Sequence, residues 1–240
     1  NLRIGGGLDL LLANNVELHP KVKELIPLTV EEINLWGSKI GDTGLAGLSK
    51  SPSWKNLTSL VLHGNDIGDA GIVFLSKNQN WTALTVLNLS NNCIGDIGAK
   101  ELGKNTSWKT LSKLNLANNS IGAEGAKALS NNNSWVVLSV LDLGNNSIGP
   151  KGAAALSKNS AWKSLTSLNL GYNSIGAEGV SALSKNTSWV NLATLNLDHN
   201  SIGVEGAKAL SKNESWINLA TLYLEKNSIG TEGTVVLSQN

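Results

Sequence analysis

The sequence predicts an α/β solenoid, a single array of stacked strand–turn–helix coils. Three observations carry this. Seven of the eight tryptophans (Trp54, Trp81, Trp108, Trp135, Trp162, Trp189 and Trp216) stand 27 residues apart. After each comes a strand-like alternation and then a helix-like run, as in "LTSLNL" and "AEGVSALSK" of the copy at Trp162. Two columns of this register also hold 16 of the 25 glycines. Periods of roughly 20–50 residues mark units that bury their apolar faces only against copies of themselves.

With each tryptophan as position 1, the coils start at residues 27, 54, 81, 108, 135, 162, 189 and 216. The copy at Pro27 keeps Val30, Ile33, Leu35, Ile40, Gly41, Gly44 and Leu48, with Ser38 in place of the usual Asn. Residues 1–26 fit the register poorly and read as an N-terminal cap or degenerate repeat.

Each element has its own reason. Leucines at positions 7 and 9 alternate with polar residues, as Leu168 and Leu170 do, which is the period of a half-buried strand. Asn at position 12 (Asn65, Asn92, Asn119, Asn146, Asn173, Asn200 and Asn227) stands where the chain leaves the strand. Its amide can serve turn backbone that lacks partners, and stacking extends it into a ladder. Gly at position 15 suits a tight turn, and Gly at position 18 suits close approach to the neighbouring coil. From Ala177 to Lys185 the pattern is a short helix with Val180 and Leu183 inward. Acids at the helix starts (Asp42, Asp69, Asp96, Glu124, Glu178, Glu205 and Glu232) and lysines at the ends match the helix macrodipole.

The pattern "LxxLxLxxNxIGxxGAxxL" resembles the leucine-rich-repeat family, in particular its ribonuclease-inhibitor-like branch. That branch includes innate-immune receptor tails, Ran GTPase-activating proteins and bacterial GALA-type effectors. The resemblance covers residues 27–240. It implies a horseshoe with parallel strands on the concave face and short helices on the convex one. Two departures stand out: the helix tract "ALSKNTSW" is short, and Trp replaces the family's usual Leu.

Composition narrows the function. The chain has 240 residues, 41% hydrophobic and 15% charged, with a formal net charge of +1, which suits a folded domain. No apolar run approaches the roughly 18 residues of a membrane span, so no membrane insertion is expected and a soluble protein, cytosolic or a secreted effector, is favoured. Cys93 is the lone cysteine and rules out an intrachain disulfide framework. Without an initiator Met or a leader pattern, the chain reads as a processed product or an excised piece.

Because the framework repeats, function belongs where copies differ. Positions 6, 8 and 10 point to the concave face, with position 11 beside them. The middle copies carry small, bland residues there, and an open face offers no evident pocket for catalysis. The ends differ. Tyr172, His199 and Lys226 form one row, with Asp198 and Glu225 in the next and Tyr223 close by; Trp36 and His63 stand at the other end. Aromatic residues ringed by charge suit a protein partner. The concave face holds five acids (Glu31, Glu32, Asp142, Asp198 and Glu225) against Lys113 and Lys226, which opposes nucleic acid. No cofactor is expected, and Asp198, His199 and Glu225 fit no familiar metal spacing.

The sequence thus points to a non-enzymatic module that binds a protein on its concave face. The rivals are a GTPase activator of the Ran type, set against a chain whose one arginine is Arg3, and the substrate-recognition part of a larger bacterial effector or ubiquitin ligase. A last coil ending at Leu237 without a polar cap suggests fraying, end-to-end self-association or continuation into further residues.

Overall fold

The computed structural model of the chain describes residues 30–51 and 54–239. The expected cap at 1–26 lies outside the described residues. Strand and helix alternate throughout: β1 (Glu32–Asn34), α1 (Gly41–Lys50), β2 (Ser59–Val61), α2 (Asp69–Ser76), β3 (Val86–Asn88), α3 (Asp96–Gly103), β4 (Lys113–Asn115) and α4 (Ala123–Ser130). The second half repeats them: β5 (Val140–Asp142), α5 (Gly149–Leu156), β6 (Ser167–Asn169), α6 (Gly176–Leu183), β7 (Thr194–Asn196), α7 (Gly203–Leu210), β8 (Thr221–Tyr223) and α8 (Gly230–Leu237).

The eight strands form one parallel sheet in chain order. Register is strict: Leu168 of β6 pairs with Leu195 of β7, and Asn169 with Asn196. Each position therefore becomes a straight row across the sheet. Parallel strands sit about 4.8 Å apart whereas packed helices need about 8–10 Å, so the stack bends toward its strands. The sheet is the concave side.

Between the layers runs one continuous core. The leucines at positions 4, 7 and 9 are buried in nearly every coil, as are the isoleucines at 14, and Trp81, Trp108, Trp135, Trp162 and Trp189 are fully enclosed. Each large apolar side chain contributes roughly 1.5–3 kcal/mol when buried, a gain available only between coils. The buried indole N–H groups find no acceptor, so these tryptophans act through volume.

Three ladders satisfy the backbone between coils. The expected Asn ladder is present. Asn200 donates through Nδ2 to the carbonyls of Leu170, Leu197 and Asp198 at 2.8–3.0 Å, while its Oδ1 accepts from the N–H groups of Asn173 and Ile175 at 3.0 and 3.1 Å. A second ladder, unforeseen in the sequence, runs at position 25 beneath the tryptophans. Asn159 Nδ2 donates to the Ser130 carbonyl at 2.7 Å, and its Oδ1 accepts from Ala161 and Trp162 N–H at 3.0 and 2.9 Å.

The third ladder revises the macrodipole reading of the acids. Asp69 Oδ1 accepts from Gly95 and Gly98 N–H in the next coil at 2.7 and 2.8 Å, and Asp96 does the same for Gly122 and Gly125, both at 2.7 Å. These aspartates cap the neighbouring helix. From α4 onward Ala123, Pro150, Ala177, Val204 and Thr231 take that place, with an acid one position later in α4, α6, α7 and α8 and Lys151 there in α5. The following position-15 glycine then changes conformation. Gly95 and Gly122, held by an aspartate, are extended at φ −103° and −99°, whereas Gly149, Gly176, Gly203 and Gly230 turn left-handed at φ +61° to +65°. The tight-turn role expected of position 15 therefore holds only where no aspartate reaches across.

Candidate functional site

The concave face is built from the residues that alternate away from the core, and backbone hydrogen bonds orient them. At position 8, Asn115, Asp142, Asn169 and Asn196 each accept, through Oδ1, the N–H two residues on at 2.8–3.0 Å. These side chains fold back over the sheet with their oxygens fixed.

Position 11 is left-handed in every coil, with φ from +51° to +65°. Gly37, Gly64, Asn91, Asn118 and Asn145 fill it in the first five coils, residue types that tolerate this region. Tyr172, His199 and Lys226 fill it in the last three at φ +58°, +55° and +51°. Bulky residues there cost on the order of 1 kcal/mol each relative to glycine.

That row is in contact. The rings of Tyr172 and His199 stack with centroids 3.9 Å apart and planes 16° from parallel. Tyr172 is 54% exposed and Tyr223 is 46% exposed. Asp198 reaches across to accept the Glu225 N–H at 2.6 Å, so its carboxylate is already engaged in ordering the end of the face. Among the described residues no group of three His, Cys, Asp or Glu is placed to hold a metal.

At the other end, Trp36 is 71% exposed and lies 5.9 Å from the His63 ring at a tilted angle. His63 Nδ1 is 2.8 Å from Ser90 Oγ, and Ser90 Oγ donates to Asn88 Oδ1 at 2.6 Å. Asn88 Oδ1 also accepts the Ser90 N–H, which fixes it as the oxygen. The hydroxyl proton is thus committed to Asn88, and His63 donates to Ser90 through Nδ1–H, leaving Nε2 as the free acceptor. A buried serine with its proton directed away from the imidazole is not an activated nucleophile. The two aromatic groups lie at opposite ends of the sheet, four or more coils apart, and do not form one site.

The middle of the face corrects the expectation of a featureless surface. A hollow of about 410 Å³ opens over β5, β6 and β7, with Asp142, Asn169, Asn196 and Tyr172 in its lining. It exists because position 10 carries Ala117, Gly144 and Gly171 in succession. A Cβ on Gly144 would sit 2.8 Å from Asn169 Nδ2, and one on Gly171 would sit 2.9 Å from Asn196 Oδ1. Sequence reading passed over this site because small residues look like an absence of information. Two consecutive glycines in a column that elsewhere holds Trp36, His63, Asp198 and Glu225 were the available signal. Burial pushes the Asp142 carboxyl above the ordinary aspartate range, partly offset by hydrogen bonds from Gly144 N–H and Asn169.

A leucine-rich-repeat family model matches six successive segments, 55–76, 82–103, 109–130, 137–157, 163–184 and 190–211, together more than half of the chain. The chain belongs to the leucine-rich-repeat family. The strand–helix units at β1–α1 and β8–α8 extend the repeat by one coil beyond each end of the matched range. A search of curated proteins finds no match. Leucine-rich repeats serve in general as protein-interaction scaffolds, and no helix among the described residues is long and apolar enough to cross a membrane.

Proposed function

We propose that this leucine-rich-repeat chain is a non-catalytic module that holds a protein partner on its concave face, anchored at the C-terminal end by Tyr172, His199 and Tyr223. The carrying observation is the left-handed row at position 11. Glycine or asparagine would hold this conformation at lower cost, yet three successive coils place Tyr172, His199 and Lys226 there. Two of these make a stacked, half-exposed aromatic platform. Local strain maintained for exposed side chains points to use. Paired aromatic rings exclude water over a large area with few rotors to freeze, and Asp198, Glu225 and Lys226 supply a charged rim.

The test is capture of interacting proteins on immobilised chain, comparing wild type with Tyr172→Ala, His199→Ala and Tyr223→Ala combined. The expected result is loss of the specific partner by the triple variant, with its circular dichroism unchanged, and retention by Lys158→Ala on the helical side. Normal capture by the triple variant sinks the assignment. A GTP hydrolysis assay with candidate GTPases separates the binding reading from the activator one, and no stimulation is expected.

A further inference from the structure

We infer that the hollow over β5–β7 is a receptor for an arginine side chain presented by an extended segment of the protein partner. This rests on the concave-face reading and gives the partner a chemistry. The hollow adjoins the stacked aromatic pair, and Tyr172 belongs to both: its ring stacks on His199, and it lines the hollow.

The lining presents acceptors in fixed positions. Asp142, Asn169 and Asn196 all have Oδ1 fixed by a backbone N–H two residues on. Those oxygens border the space that Gly144 and Gly171 leave open: a Cβ on Gly171 would find Asn196 Oδ1 at 2.9 Å and Asn169 Oδ1 at 3.3 Å, and one on Gly144 would find Asp142 Oδ1 at 3.2 Å. The Asn169 amide lies beside Asp142, and Asn145 Nδ2 donates to Asn118, so part of the donor set is engaged within the lining. Oxygens held in fixed positions beside a carboxylate suit a ligand rich in donors.

Charge narrows the ligand further. Asp142 is the single charged side chain in the lining, and no ion pair among the described residues includes it. Its carboxylate is half-buried, accepts the Gly144 N–H and has the Asn169 amide beside it, against about four acceptor sites on an ionised carboxyl group. A partly desolvated carboxylate without a counter-charge is complementary to a cation. Guanidinium fits better than ammonium for two geometric reasons. Its planar fork spreads five donors over separated oxygens, and its face can lie against the exposed side of Tyr172. The surrounding face, with five acids to two lysines, favours a basic segment in the same direction.

The repeat supplies its own control. Asparagine occupies position 8 in the adjoining coils, so Asp142→Asn keeps shape, the acceptor for Gly144 N–H and the fold while removing only the charge. The probes are acetyl-Gly-Ser-Arg-Ser-Gly-amide, its lysine counterpart, free arginine and the neutral sugar chitotriose, titrated into the 240-residue chain with amide chemical shifts as readout. The arginine peptide should move the Gly144 backbone signal and the Asn169 and Asn196 side-chain amides. It should bind more tightly than free arginine, whose own carboxylate faces an acidic surface, and than the lysine peptide. Asp142→Asn should weaken it by about tenfold or more, as loss of a charge-assisted pair does. Tyr172→Leu should weaken it less and reduce the preference over lysine. The inference is overturned if the arginine peptide leaves these signals in place, if it binds Asp142→Asn equally well, or if chitotriose moves the same signals with higher affinity. These probes require no captured partner, so failure here is separate from failure of the triple aromatic variant.

Discussion

Replacing Asn200 by alanine tests how the solenoid is held together. The Asn200 side chain is completely buried and makes five hydrogen bonds. Its three carbonyl partners each keep another donor: Leu170 a bond from Asn173 at 3.1 Å, Leu197 one from Asn227 at 2.8 Å and Asp198 one from the Tyr172 N–H at 2.8 Å. The N–H groups of Asn173 and Ile175 have no other acceptor among the bonds described. Each buried orphan costs about 1–3 kcal/mol, and removing the amide itself relieves some desolvation, so a net loss of about 3–4 kcal/mol is expected. For an array of this size that corresponds to a fall in melting temperature of roughly 6–16 °C. Circular dichroism gives the melt, and native-state hydrogen exchange should show the amides of Asn173 and Ile175 losing protection first. The control is Asn118→Gly. Asn118 is exposed with φ +54°, and its column already holds Gly37 and Gly64, so a change within about 0.5 kcal/mol is expected. Alanine at Asn118 is a poorer control because the left-handed backbone penalises it. Equal losses for Asn200→Ala and Asn118→Gly would falsify the ladder account.

Asp69→Ala should cost about 1–3 kcal/mol by orphaning the N–H groups of Gly95 and Gly98, while Glu205→Ala, at an exposed residue paired with Lys208, should cost about 0.5 kcal/mol or less; similar urea midpoints for the two would restore the macrodipole reading. Gly176→Ala should destabilise by about 1–2 kcal/mol from its φ of +65° alone, since no atom lies within 4 Å of the added Cβ; an unchanged denaturation midpoint would show that this turn can relax. Asp142 should produce a pH signature. Its folded-state pKa is raised, so the folded chain binds this proton more tightly, and its contribution to stability falls as pH rises above about 3.9, the ordinary value. Wild type should therefore lose ground to Asp142→Asn between acidic and neutral pH in parallel denaturation curves; a difference that is flat in pH would show that burial does not oppose ionisation there.

The fold was legible because a solenoid writes its core in columns. Leu at positions 7 and 9, Ile at 14 and Trp at 1 recur every 27 residues and are buried together, and the position-12 asparagines could be assigned from the need of turn backbone for partners. Periodicity also placed Tyr172 beside His199, since an in-register parallel sheet turns equal positions into neighbours. What periodicity could not supply is how side chains act between coils. The acids of the helix starts look alike in sequence, but a one-position shift separates Asp69, which caps the next helix, from Glu205, which faces solvent. The position-25 asparagines were hidden among other polar residues, because reach across 29 residues to a carbonyl is a property of stacking. The left-handed conformation of Tyr172, His199 and Lys226 is likewise imposed by the coil, whatever residue occupies it. The hollow at Asp142 depends on missing volume at Gly144 and Gly171 and on amides held in place by their own backbone. Sequence determines which atoms recur, while the tertiary stack decides which recurrent atoms meet and where they leave space.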